Sequence, residues 1–198
     1  MITNFNFEHQ ENGACLITPF TAGDDRGEFT KDFNIDTLRA NGIDFEVKEI
    51  LNATSNKGVI RGLHFQTVNC QAKLLRCLKG RIIYVIVDLR DCSPTFGKYW
   101  MYELSGEEKQ SLYVPHGFAH GYIALEDDTY VQYFCDNIYN GKYDGGVNYL
   151  DPDINVQWPW DRIGGQDKAI VSDKDKALPS LKELMSRHSP YKYLYFNF

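Results

Sequence analysis

A few short segments of the chain hold residue types that can move protons or grip anions. Gly58-Val59-Ile60-Arg61-Gly62-Leu63-His64-Phe65-Gln66 brackets an arginine with glycines and delivers a histidine. Histidine takes and returns protons near neutral pH, although a single one is more often structural. Gln71-Ala72-Lys73 opens an apolar run with a lysine, which alone reads as a solvated strand edge. Val114-Pro115-His116-Gly117-Phe118-Ala119-His120-Gly121-Tyr122 adds His120, equally a satisfied core histidine. Tyr133 stands beside Phe134 and near Tyr130, where a tyrosine ordinarily packs. Ser172-Asp173-Lys174-Asp175 offers a carboxylate that, read locally, caps a following helix. Arg26, in Asp24-Asp25-Arg26-Gly27, and Arg61 have the planar fork that holds phosphate oxygens in pairs; each alone reads as a solvated charge.

These residues need a scaffold, and the apolar pattern says which. Strand-length apolar runs recur at residues 13–18, 45–51, 74–78, 81–89, 99–103, 111–114, 122–125 and 129–135. Between them stand turn signals such as Lys79-Gly80, Ser93-Pro94-Thr95-Phe96-Gly97, Pro115-His116-Gly117 and Glu126-Asp127-Asp128. In Ile83-Tyr84-Val85-Ile86-Val87 both faces are apolar, as in a central strand covered on both sides. Many short strands at this spacing predict an all-β sandwich or barrel, a jelly roll of the cupin type with a few short peripheral helices. Helices are expected at residues 35–41, capped by Asn34, and at 178–186. No linker or repeat divides residues 1–198, so one domain is expected. Its jelly-roll core spans about 14–160, with a helical and aromatic extension over about 176–198 whose composition favours burial. Sheet edges in such folds are often paired across a dimer, so a homodimer is expected.

Composition narrows the classes. At 198 residues with 43% apolar content the chain suits one globular core, and its 13 Tyr and 12 Phe favour strands and pocket walls. No apolar run approaches the roughly 20 residues that cross a bilayer, and the first residues lack a basic start followed by an apolar stretch. A cytoplasmic protein with no membrane partner is expected. The five cysteines are scattered and form no C-x-x-C pair, which argues against a disulfide framework or a thiolate zinc site. A metal-dependent cupin needs two histidines close in sequence, whereas His64 is followed by Phe65-Gln66. Neither a metal nor another cofactor is therefore expected. A net charge of −6 disfavours nucleic acid as a partner but leaves room for a small anionic ligand.

Taken together, the motifs are specific. The order R-G-L-H-F-Q, Q-A-K, V-D-L-R-x-x-S-P-T-F-G and V-P-x-G-F-A-H-G-Y closely resembles the dTDP-4-dehydrorhamnose 3,5-epimerases. The likeness runs from about residue 14 to 179, through Asp24–Phe29, Val131-Gln132-Tyr133, Asp151-Pro152, Trp158-Pro159 and Ser172–Asp175. The resemblance implies a cupin-like dimer whose barrel holds a nucleotide-linked 4-keto-6-deoxyhexose and inverts it at C3 and C5. Both carbons flank the C4 ketone, so their protons leave to give an enolate and return on the opposite face. By position, His64 is the base, oriented by Asp175, and Tyr133 is the acid. Lys73 stabilises enolate charge, and His120 assists or binds nearby. Arg61 and Arg26 match the diphosphate-binding positions, with the Arg26 arm reaching a neighbouring subunit. Phe29, Glu49, Gln66 and Tyr139 fall at substrate-binding positions.

Four positions depart from the family pattern: Lys31 stands for a glutamate, and Glu49, Leu51 and Ala53 stand for the glutamine, asparagine and serine of Q-x-N-x-S. The glutamate, glutamine and asparagine lie near the nucleotide in the family, so a CDP or GDP sugar is an alternative. A one-residue slip that matches Asn52 to the family asparagine is the plainer account. Inversion of C3 alone or C5 alone, and a non-catalytic sugar-binding cupin, are the competing readings. The latter need not keep His64, Tyr133 and Asp175 together.

Overall fold

Strand Arg81–Asp88 (β8) shows how the sequence builds two cores from one element. Its residues Ile82, Tyr84 and Ile86 face one apolar cluster, while Ile83, Val85 and Val87 face another. Period-two alternation puts the two sets on opposite faces, and both faces are covered. The computed structural model describes residues 4–91 and 93–187; Cys92 and the aromatic segment 191–198 lie outside them.

The strands, numbered in chain order, form two main sheets. The first runs β1 (Asn6–His9), β2 (Cys15–Thr18), β10 (Ser111–Val114), β7 (Lys73–Lys79), β12 (Thr129–Cys135), β5 (Glu49–Ser55). The second runs β13 (Asp144–Gly146), β6 (Val59–Gln66), β11 (Phe118–Ala124), β8, β9 (Tyr99–Ser105), with β14 (Ile170–Val171) lying parallel to β6. A separate hairpin pairs β3 (Phe20–Asp24) with β4 (Gly27–Lys31) around the Asp-Arg-Gly turn. Between the sheets, Leu75, Leu112 and Val131 of the first meet Tyr84, Ile86 and Tyr122 of the second. The outer face of the second sheet is sealed by Trp158, Ile163, Leu181 and Leu184, and that of the first by Leu38, Ile43 and Phe45. This is the expected jelly roll, and its paired strands reach beyond residues 14–160 at both ends.

Helix α1 (Ile35–Ala40) begins where expected, with Asn34 Oδ1 accepting the Thr37 N–H at 2.9 Å. Short helices α2 (Trp160–Ile163) and α3 (Asp173–Lys176) follow, and then α4 (Leu181–Arg187). The last starts three residues later than expected because Ser180 and Glu183 form a capping box, each side chain accepting the other's backbone N–H. The strand expected over 45–51 begins only at Glu49, since Phe45 is drawn into the cluster beneath α1. Among the described residues no helix is long and apolar enough to cross a membrane.

Candidate active site

At one end of the space between the sheets the apolar packing gives way to a cavity of about 540 Å³. Its walls come from opposite sheets. Arg61, His64 and Gln66 of β6 and His120 of β11 line one side; Lys73 of β7, Tyr133 of β12, and Leu51 and Ala53 of β5 line the other. The alternation that sends Leu63 and Phe65 outward turns His64 and Gln66 inward. The volume suits a bound small molecule.

His64 is held by a residue 111 positions away: its Nε2 lies 2.7 Å from Asp175 Oδ1. The other carboxylate oxygen accepts the Gly62 N–H at 3.1 Å. Asp175 sits in α3, where Ser172 is the cap and accepts the Asp175 N–H. The local reading of Asp175 as a helix cap is therefore corrected, because its carboxylate faces the histidine instead. Burial alone would push this carboxyl up, but the bonds from His64 and Gly62 hold it below its ordinary value. With Nε2–H donating to Asp175, Nδ1 keeps the lone pair a base needs.

His64 and His120 are register partners across β6 and β11. One extra residue of β6 bulges between this pair and the next, Arg61 with Tyr122. The close crossing requires Gly62 and Gly121: a Cβ at 62 would meet Gly121 Cα at 2.7 Å, and one at 121 would meet Arg61 O at 2.4 Å. His120 Nδ1 lies 2.7 Å from the hydroxyl of Tyr84, a fully buried residue of β8. The His120 ring also tilts against that of Tyr133, 6.2 Å between centroids. Burial pushes the Tyr133 phenol well up, so it stays protonated.

Lys73 is buried in a central strand, not solvated at an edge as its local reading has it. Its ammonium donates to Gln71 Oε1 at 2.8 Å and to Cys135 Sγ at 3.5 Å, and stands 5.9 Å from the centre of the Tyr133 ring. Gln71 is fixed in turn, since its Nε2 donates to Asn137 O at 2.6 Å and to Glu49 Oε1 at 3.3 Å. The Glu49 carboxylate also accepts the Tyr139 N–H. Glu49 thus has its carboxylate committed to protein donors, whereas the half-exposed Tyr139 does line the cavity.

The remaining expected residues divide. Arg61 lines the cavity, braced by Ser55 Oγ at 3.2 Å and Thr54 O at 3.1 Å. Gln66 lines it too, yet its amide is spent on loops: it donates to Asn69 O and Ile138 O and accepts the Asn140 N–H. Arg26 and Phe29 lie on the β3–β4 hairpin, both exposed and neither lining the cavity of this chain; Arg26 is paired with Asp24. The pairing of β5 with β12 runs without a shift from Glu49–Cys135 to Ser55–Thr129. Leu51 is therefore opposite Tyr133, and Asn52 is opposite Gln132, from whose amide it accepts at 3.1 Å. Leu51, Asn52 and Ala53 all line the cavity, so the asparagine that the one-residue slip would supply is present at its wall. Two residues went unassigned in the sequence. Gln71 was within a quoted motif, and Tyr84 was visible as the one polar-tipped residue within residues 82–87. Among the described residues no three His, Cys, Asp or Glu side chains converge to hold a metal ion.

The profile of the family described as dTDP-4-dehydrorhamnose 3,5-epimerase matches residues 8–183. The chain belongs to this family. A dTDP-4-dehydrorhamnose 3,5-epimerase of Methanothermobacter thermautotrophicus is 39% identical over 172 residues, covering 87% of this chain and 91% of its own. Among solved structures, the dTDP-6-deoxy-D-glucose-3,5-epimerase of Legionella pneumophila, in complex with dTDP-4-keto-L-rhamnose, superposes with a TM-score of 0.86 at 33% identity. That match covers 93% of this chain and 96% of the other. The dTDP-4-dehydrorhamnose 3,5-epimerase of Bacillus anthracis, with TDP and PPi bound, gives 0.84 at 38% identity, covering 89% and 99%. The epimerase family and the jelly-roll architecture expected from the motifs both stand.

Proposed function

We propose that the protein inverts C3 and C5 of a dTDP-linked 4-keto-6-deoxyhexose, converting dTDP-4-dehydro-6-deoxyglucose to dTDP-4-dehydrorhamnose. The carrying observation is the His64–Asp175 pair at 2.7 Å, facing Tyr133 from the opposite sheet across one cavity. Inversion next to a ketone needs a base on one face and an acid on the other, and this arrangement supplies both. His64 Nδ1 takes the proton from the carbon flanking the ketone. The electron pair moves to the C4 oxygen, and the resulting enolate lies within the field of the Lys73 ammonium. Tyr133 then returns a proton to the far face. Acid–base steps of this kind are worth about 10²–10⁴-fold each, and enolate stabilisation is comparable.

Arg61 is assigned to the diphosphate, whose paired oxygens match its fork. Arg26 and Phe29, exposed on their hairpin, are assigned to the cavity of a second copy in a homodimer, which completes the nucleotide end of that site. A cytoplasmic location is part of this proposal, in keeping with a nucleotide-linked substrate. The test is proton NMR in D₂O with dTDP-4-keto-6-deoxyglucose. Deuterium entering at both C3 and C5, and lost in His64→Ala, is the expected result. Entry at C3 or C5 alone would make it a monoepimerase, and no entry with this sugar but entry with a CDP or GDP analogue would change the nucleotide.

A further inference from the structure

Tyr84 belongs to the apolar core between the sheets, fully buried among Ile82, Ile86 and Leu75, and does not line the cavity. A buried phenol needs a hydrogen-bond partner. Its partner is His120 Nδ1 at 2.7 Å, the two rings stacked at 21° with centroids 5.8 Å apart. His120 therefore has one nitrogen in the core and the opposite edge of its ring toward the cavity it lines.

Resting on the epimerase reading, we propose that Tyr84 is a positioning residue. It donates its hydroxyl proton to His120 Nδ1 and so puts the single imidazole proton on Nε2, aimed into the cavity as a neutral donor to the enolate oxygen. The reverse bond, Nδ1–H to the phenol oxygen, would leave the Tyr84 O–H without an acceptor in an apolar core, which is costly. It would also turn a lone pair toward an oxygen that is gaining negative charge. The electrostatic surroundings agree. Burial, with Lys73 and His64 nearby, pushes His120 well below the ordinary histidine range, and burial pushes Tyr84 well above that of tyrosine. Both groups are thus neutral at pH 7, as the donor arrangement requires. A neutral imidazole is a donor that keeps its proton, and it complements the Lys73 charge on the same developing oxyanion.

The test reads the tautomer directly. Two-bond ¹H–¹⁵N correlation spectra of protein carrying ¹⁵N-histidine, with His120 assigned through His120→Asn, should show Nδ1 unprotonated and Nε2 protonated at pH 7. Tyr84→Phe removes only the hydroxyl. It should give a mixed tautomer and lower kcat about 10-fold, with KM within about twofold of the parent. A wild-type His120 protonated at Nδ1, or at both nitrogens, overturns the proposal. So does Tyr84→Phe with a pure Nε2–H tautomer and unchanged kcat. Absence of deuterium entry in the wild type would sink the epimerase reading and with it the enolate role, whereas the tautomer is read from the spectrum in either case.

Discussion

His64 and His120 are paired across adjacent strands, yet one ring is tied to the carboxylate of Asp175 and the other to the phenol of Tyr84. An anion on the far nitrogen favours taking a proton, because it stabilises the imidazolium that forms. A neutral O–H on the far nitrogen favours keeping one. In the proposed mechanism, two identical side chains are thereby set to opposite tasks by what stands behind them.

Asp175→Asn tests the first of these settings. The amide keeps the shape but removes the charge that supports protonated His64. We expect kcat to fall about 10²–10⁴-fold with little change in KM, measured by following C3 and C5 inversion by NMR.

Tyr133→Phe separates the two halves of the reaction. His64 remains able to remove a proton and return it to the same face, so deuterium entry should persist while inverted product falls about 10²-fold or more. Loss of both in equal measure would mean that Tyr133 is not the acid.

Lys73 owes its position to Gln71, whose carbonyl oxygen it meets at 2.8 Å. Lys73→Met removes the positive charge at the enolate and should lower kcat about 10²–10³-fold. Gln71→Leu removes the oxygen that Lys73 donates to and should cost about 10-fold in kcat, a smaller loss in the same direction. Steady-state kinetics on the two variants check the ranking.

Asp88 provides a stability prediction away from the chemistry. It is fully buried and accepts from Arg90, Ser93 and Thr95 in the loop after β8. Burial would raise its pKa, but these donors outweigh it and bring it down to about 2. A lowered carboxyl stabilises the fold above its unfolded value of 3.8 and loses that contribution as pH falls toward about 2. Asp88→Asn should cost roughly 2–4 kcal/mol at pH 7, where an amide N–H₂ would confront the same donors. Urea unfolding should show the gap between variant and parent narrowing as pH falls from about 4 toward about 2.

The strands that build the barrel were legible as short apolar runs bounded by turn signals. Residues 81–89, 111–114 and 129–135 carry apolar side chains on faces that the fold covers. The β3–β4 hairpin was not, since Thr-Ala-Gly-Asp and Gly-Glu-Phe-Thr present no buried face to mark them. Strand β6 was obscured by its own bulge, which breaks the period of two at Gly62 and Leu63. For the site, His64, Lys73 and Tyr133 could be gathered only through family likeness, because no local pattern ties strands of different sheets together. The Tyr84 hydroxyl was hidden for a related reason: its ring satisfies the core pattern completely, and only the position of His120 reveals its polar end.

The span of 111 residues between His64 and Asp175 has a consequence for how the protein is made. A chain emerging from the ribosome completes β6, with its histidine, long before α3 exists. Until the segment through Lys176 has been synthesised and has docked beside β6, the base lacks its orienting carboxylate. In the proposed mechanism, competence at the base therefore arrives late in translation, and a chain that stops before Asp175 lacks the pair.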